Sequence, residues 1–423
     1  MFDLLRVRDF GLLWLAGLIS VAGDIALIIV LPLHIYRLTD STLATAGVLV
    51  AAVLPRVLIG SVAGVFVDQW DRKWTMVVSN VCQAIFLLPV LVAPDHVALL
   101  YSIAMIQGTI GLFFRPAEGA LLPRLVGEEH LVAANALNSL NNNFGMLIGP
   151  AAGATLYAAT GLSGTVLADI ATFIVSALLI ATIRTDARPE RDDDAAVTGA
   201  AWARLAANWR AGLAVVRRNP PLRVLFASSV VNGVSDGVFT TLGLSPLVLD
   251  VLGGTPAQVG WLATTQAIGG LLAGVLIIRI GHRLSLRWLL GGGLAGIGLA
   301  DLGSANARLF ASAGNPAVGV AMGFMVAAGP PAVASTTARQ SIVQEQASDA
   351  YRGRVFGALS SVLGISLIIG FAIGGVLGDA LGLVGVLSAA ALLRVVGGLA
   401  VVVFMPRPET SPSSAKPESA IAE

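Results

Sequence analysis

The sequence predicts an all-α membrane protein of twelve transmembrane helices in two pseudo-symmetric six-helix halves. Three observations lead there. Charged residues are 12% of the 423 and apolar residues 56%, whereas soluble domains carry about 25% charged residues. The apolar residues form about twelve runs that approach or exceed the roughly 20 residues needed to cross a bilayer. The few charges gather between the runs with a sign bias that only an even number of spans preserves.

The expected spans are 10–35, 42–66, 74–93, 97–117, 135–159, 163–183, 223–249, 257–279, 286–305, 316–338, 353–378 and 381–404. The runs are continuous, which favours helices over the roughly ten-residue alternating strands of a barrel. Arg6 and Arg8 precede a first run too long for a signal peptide, and no small-residue cleavage site follows, so this run is expected to remain as a span. Of the 26 Lys and Arg, all but four fall at the termini or in the loops after spans two, four, six, eight and ten. Arg37 and Arg308 fall on the other side, and Arg56 and Arg394 within spans. The bias predicts a multi-pass protein of the cytoplasmic (inner) membrane with both termini in the cytoplasm.

Residues 1–184 then form an N-terminal six-helix half and 223–405 a C-terminal one. Between them, 185–222 is a cytoplasmic linker. It opens with the charge run "RTDARPERDDD" and continues as "AWARLAANWRAGLAVVRR". Trp202, Leu205, Trp209, Leu213 and Val216 share one helical face of that segment, which predicts an amphipathic helix at the membrane surface. Residues 406–423 read as a disordered tail.

The composition also narrows the chemistry. Cys82 is the single cysteine, and the four histidines are scattered without metal-ligand spacing, so no metal or cofactor is expected. The only lysines are Lys73 and Lys416, and neither sits in a P-loop. No catalytic motif supports an enzyme, and nothing points to nucleic acid.

The halves echo each other. Gly145, Gly149 and Gly153 recur 225 residues later as Gly370, Gly374 and Gly378, and Pro116 and Arg124 recur 215 later as Pro331 and Arg339. Asp24 and Asp236 sit at similar depths in the first span of each half. Parallel repeats of this kind mark transporters whose substrate site lies near the midplane between the halves.

Gly64-x-x-x-Asp68 with Asp71-Arg72-Lys73, between spans two and three, resembles the signature loop of the major facilitator superfamily. "GLISVAGDIALIIVLPLHIYRLTDS", "RPAEGALLPRLVGEEHLVAANALNS", "GPAAGA" and "RGRVFGAL" resemble more narrowly its drug-exporter branch, which includes macrolide-efflux and enterobactin-exporter proteins. The resemblance covers roughly residues 5–405 and implies alternating access. Gln69 and Asp71 depart from the general superfamily loop. The second-half counterpart, Gly274 to Arg283, keeps Gly274, Gly281 and Arg283 but lacks an acid.

In the signature loop, the resemblance implies that Asp68 latches the cytoplasmic ends of spans two and eleven, with Gly64 allowing close approach and Arg72 or Arg354 as partner. Span eleven is expected to begin near Gly353, where a helix N-terminus favours a carboxylate. Lys73 reads as a topology marker. Gly145, Gly149, Pro150 and Gly153 combine a proline bend with small residues; they resemble the motif of exporters that exchange substrate for protons.

Intramembrane charges cost at least about 2.5–3.5 kcal/mol on insertion scales, so they are functional candidates. Asp24, with Arg56 as its pairing partner, and Asp236 are the proton-coupling candidates. A permanent structural ion pair is the competing reading. Asp169 and Asp301 are expected nearer the outer ends as structural or snorkelling residues, and Arg394 as a packing or interface residue. Asn135, Asn138 and Asn142 share a face of span five. With Gln107, Asn232, Gln266, Thr336 and Gln340 they are candidates to line the substrate cavity, or to join helices to each other.

The leading functional reading is a secondary active transporter that exports hydrophobic small molecules (drug-, macrolide- or siderophore-like) by proton antiport, as a monomer. The alternatives are an uptake or lysophospholipid-moving facilitator, and a membrane protein that transports nothing.

Overall fold

The structure is a computed structural model that describes residues 2–67, 69–185, 187, 201–280 and 284–406. Its helices are α1 (Arg8–Thr39), α2 (Thr42–Val67), α3 (Arg72–Val92), α4 (Val97–Val126), α5 (Leu131–Ala181), α6 (Ala201–Arg218), α7 (Pro220–Leu242), α8 (Pro256–Ile280), α9 (Leu286–Ala305), α10 (Asn315–Gln346), α11 (Asp349–Leu381) and α12 (Leu383–Phe404). No strand occurs among the described residues.

Helix α5 is two spans. Gly161 has φ 71° and ψ −169°, a conformation that glycine adopts without a Cβ penalty. The chain folds back there, so Gly149 of the first arm and Asp169 of the second both meet α1 within one turn, at Ala22 and Gly23. Each half therefore has six spans: α1–α4 with the two arms of α5, and α7–α12. Among the described residues, eight helices are long and apolar enough alone to cross a bilayer, α5 being counted once. Helices α7, α8 and α9 pack among them.

Local chemistry sets the starts of several helices. Asp71 accepts a hydrogen bond from the Trp74 amide at 3.0 Å and caps α3. Asn219 caps α7 by accepting from the Leu222 amide at 3.2 Å, and Pro220 follows at the first helical position. Lys73 donates to the Ile183 carbonyl at 2.9 Å, just past the end of α5, and so ties the entry of α3 to it.

Several boundaries differ from those the sequence suggests, two of them near candidate residues. Helix α4 continues to Val126, because Pro116 bends it without ending it. Arg115, which the loop count placed outside the membrane, therefore sits within a helix together with Glu118. Helix α11 starts at Asp349 rather than near Gly353, with Asp349 in its first turn and paired to Arg352 at 2.7 Å. Helix α6 forms as the amphipathic pattern requires, yet it rests on α11 and α7. A Cβ at Gly212 would come 2.6 Å from the Arg354 carbonyl oxygen, and Val216 is buried.

The two halves share one plan. α1 packs on α5 as α7 packs on α11, and α2 on α4 as α8 on α10. The glycines 225 residues apart make equivalent contacts. A Cβ at Gly149 would meet the Ala22 carbonyl oxygen at 3.0 Å; one at Gly374 would meet the Val238 Cα at 3.4 Å. Glycine here lets two backbones touch, which is how helices associate where lipid offers no hydrophobic drive.

The core divides by depth. At the end carrying the 39–42 turn, one apolar cluster joins both halves, including Leu27, Val30, Leu100, Phe173, Val238, Leu247, Val259 and Met325. At the opposite, terminal end the halves have separate cores. One is built on Phe10, Leu13, Leu121 and Ile180; the other on Leu222, Leu290, Val343 and Val355. The halves are thus joined at one end, and each is packed on itself at the other.

Candidate functional site

Helix α12 places Arg394 in the middle of the second half, 2% exposed. Its Nη1 donates to Asp301 Oδ2 on α9 at 2.7 Å. Its Nη2 donates to Asp236 Oδ1 on α7 and to the Asn232 carbonyl, the latter at 3.3 Å. Asn232 Nδ2 in turn donates to Asp236 Oδ2 at 3.0 Å. Three helices thus meet on one guanidinium, whose planar fork suits two carboxylates. Asp301 is buried, whereas the Asp236 side chain is 48% exposed. Arg339 on α10 lies within electrostatic reach of Asp236 and Arg394. Arg394 is therefore an ion-pair centre that packs three helices together, and Asp301 its buried partner rather than a snorkelling residue. The helix pattern alone gave neither, because pairing across α7, α9 and α12 is a tertiary fact.

The first half has the same layout with different chemistry. Asp169 lies 225 residues before Arg394, the offset that relates the glycines. It projects from the second arm of α5 onto α1 at Gly23, beside Asp24. Asp169 is 3% exposed. Its Oδ1 accepts from Thr172 Oγ1 at 3.1 Å, and its Oδ2 is buried without a hydrogen-bond partner. Asp169 is thus buried beside Asp24 rather than snorkelling to the surface. The cation acting on Asp24 is Arg115 of α4, which also acts on Glu118. Arg56 does not pair with Asp24. It is exposed, and its Cγ lies alongside Gly60 on its own helix, 3.6 Å from where a Cβ there would sit.

The remaining polar candidates separate into four kinds. Gln107 donates to the Gln83 carbonyl at 2.9 Å and ties α4 to α3. Asn138 reaches Glu118 Oε1 at 3.4 Å, so it joins the acidic cluster. Asn135 and Asn142 are exposed and donate to carbonyls of their own helix, those of Leu131 and Asn138. Gln266, Thr336 and Gln340 are exposed and make no side-chain hydrogen bond among the described residues. Asn141 was missed. It is 3% exposed and donates to the Trp14 carbonyl at 2.8 Å, across α1 and α5.

Gly145, Gly149 and Gly153 pack on Val21, Ala22, Ile25 and Ala26 of α1. Pro150 turns its carbonyl toward Gly260 of α8, in the other half. Beside it, Trp261 Nε1 donates to Thr155 Oγ1 at 3.0 Å. The motif is therefore part of the seam between halves. In the signature loop, Asp68 and the surroundings of Gly64 lie outside the described residues. Gln69 is exposed, the Arg72 backbone amide donates to the Ala187 carbonyl at 3.2 Å, and Arg354 stacks over Tyr351 at 5.2 Å.

The seam at the joined end is polar as well as apolar. Asp379, near the end of α11, accepts from the Thr42 amide at 3.2 Å, Thr42 Oγ1 at 2.8 Å and Ser41 Oγ at 3.3 Å. It therefore caps the N-terminus of α2 across the interface between halves. Tyr36 donates to Asp250 in a second cross-half bond. The sequence reading placed a carboxylate latch at the terminal end only; Asp379 carried no motif to mark it.

The sequence profile of the Major Facilitator Superfamily matches residues 13–245 and 225–422. The chain is 26% identical over 380 residues to the uncharacterized MFS-type transporter YfiS of Bacillus subtilis (strain 168), covering 86% of this chain and 85% of that one. It is also 26% identical over 292 residues to the uncharacterized MFS-type transporter YkuC of the same organism, 65% of each chain. Among solved structures, it resembles a bacterial homologue of the iron transporter ferroportin in its inward-facing state, with a TM-score of 0.71, 16% identity, and 93% and 98% of the two chains covered. The nucleoside transporter NupG matches with a TM-score of 0.72, 14% identity, and coverage of 95% and 100%. At those identities the structures speak for the fold alone. With its six-plus-six helices, paired glycine seams and buried charges in both halves, the chain belongs to the Major Facilitator Superfamily and is a secondary transporter of the membrane.

Proposed function

We propose that this transporter exports hydrophobic small molecules in exchange for protons. The observation that supports this most is the Asp24 region. An otherwise apolar membrane layer holds an excess of carboxylates in the first half, whereas the acids of the second half are held by Arg394. A carboxylate that gains and loses a proton inside a bilayer changes the cost of burying it. It can therefore bias the balance between two conformations, which is what coupling requires. The sparse remaining charge favours an apolar or weakly cationic substrate.

The positive-inside bias supports a cytoplasmic (inner) membrane protein with its terminal end in the cytoplasm. In that orientation the joined end, sealed by Asp379, Tyr36 and Trp261, faces outward. The halves with separate cores face the cytoplasm, from which an exporter loads. Rocking of the halves about a midplane site then delivers the substrate.

The test uses proteoliposomes and ethidium as a hydrophobic cationic probe. Ethidium accumulation in vesicles acidified inside, abolished by a protonophore, is the expected outcome. Asp24→Asn is expected to keep probe exchange at equal pH while losing the response to the gradient. Ethidium flux indifferent to the pH gradient rules out antiport. Movement of a lysophospholipid probe without ethidium flux selects the facilitator reading instead.

A further inference from the structure

We propose that Asp24 and Asp169 form a single proton-binding dyad, with Asp169 the second carboxylate of the coupling site; this rests on the antiport reading above. Three observations support it. Asp169 packs on α1 at Gly23, the residue before Asp24, where a Cβ would come 2.5 Å from Thr172 Oγ1, so the second arm of α5 lies directly on α1 and Asp24 acts electrostatically on Asp169. Asp169 is 3% exposed and its Oδ2 is buried with no hydrogen-bond partner. At the corresponding position of the second half stands Arg394, which holds two acids.

The surrounding groups are few. From α4, Arg115 acts on Asp24 and on Glu118. From α5, Thr172 supplies the one hydroxyl on Asp169. From α3, packed on the second arm, the buried polar side chains are the neutral Ser79, Asn80 and Gln83. From α2, Arg56 is exposed and unpaired among the described residues. Asp24, Asp169 and Glu118 thus have the single guanidinium of Arg115 among them. Two carboxylates in one site cannot both be ionised cheaply, and a proton held between them satisfies the bare oxygen. The step is a proton transfer only. One proton joins the pair from the outer aqueous side and leaves on the cytoplasmic side, and no other bond changes.

The experiment reads two signals from the full-length protein in liposomes. The first is the infrared band of a protonated carboxyl group, followed from acid to alkaline pH. The second is ethidium flux under a pH gradient. Wild type is expected to show the band at neutral pH. Asp169→Asn is expected to lose the dyad's share of the band, leaving only what Glu118 contributes, and to lose the gradient response while downhill flux persists. Asp24→Asn, an independent variant should the first not fold, is expected to move the band's titration midpoint. A band and gradient response unchanged in Asp169→Asn, or a midpoint unchanged in Asp24→Asn, overturns the dyad. A wild type with no gradient response overturns antiport instead; the dyad then stands or falls on the infrared signal alone.

Discussion

The two halves bury charge at corresponding depths in opposite ways. The first sets Asp24 against Asp169, with Arg115 as the nearby cation. The second sets Asp236 and Asp301 on Arg394. The helices around the two pairs pack in the same order. The last span of each half carries part of the difference: Asp169 stands there in the first half, and in the second Arg394 stands there and braces three helices.

The largest expected effect comes from breaking the braced half. Arg394→Met leaves Asp301 buried and unpaired, and such losses cost about 3–5 kcal/mol. Thermal unfolding in detergent is expected at clearly lower temperature, whereas Asp24→Asn leaves it unchanged or raised. Equal losses in both variants remove the distinction between bracing and titrating halves. Overpacking the glycine seams follows, at about 1–3 kcal/mol. Gly149→Leu and Gly374→Leu are expected to destabilise the protein alike, because both sites lie on the repeated contact. A much smaller loss at one seam shows that the repeat is not equivalent in packing.

A smaller effect is expected at the seal. Hydrogen bonds to charged groups contribute about 1 kcal/mol more than neutral ones. Asp379→Asn therefore shifts the balance toward the outward-open form by roughly fivefold, at 1.4 kcal/mol per factor of ten. Spin labels placed across the joined end report that shift; an unmoved distance distribution shows that Asp379 caps α2 without gating. The smallest effect is at Asp236. Its side chain is half exposed and Arg394 keeps Asp301, so Asp236→Asn is expected to retain the fold and the pH response. Loss of gradient-driven flux there moves the titrating role to the second half.

Much of this was readable in the one-dimensional pattern. Apolar runs and Lys/Arg asymmetry report the solvent around each segment, which for a membrane chain nearly dictates helices. The Gly145, Gly149 and Gly153 repeat announced the α1–α5 and α7–α11 seams. Asp24 and Asp236 stood out as charges amid hydrocarbon. Arg115 and Glu118 stayed hidden because the expected span ends at 117, and a membrane helix can continue past a proline and past polar residues. Asp379 and Asp250 stayed hidden because acids at helix ends look like ordinary loop residues.

The sequence by itself determined the helices, their number and the twofold plan, because burial in lipid demands that every backbone group be satisfied within its own segment. The partners of the charges were settled only in three dimensions. Asp24 meets Asp169 and not Arg56, and Arg394 meets Asp236 and Asp301, because helices remote in sequence cross at those depths. Which end of the bundle is shut was likewise a tertiary outcome. It depends on contacts between halves, such as Asp379 on Thr42 and Pro150 against Gly260, that no local pattern encodes.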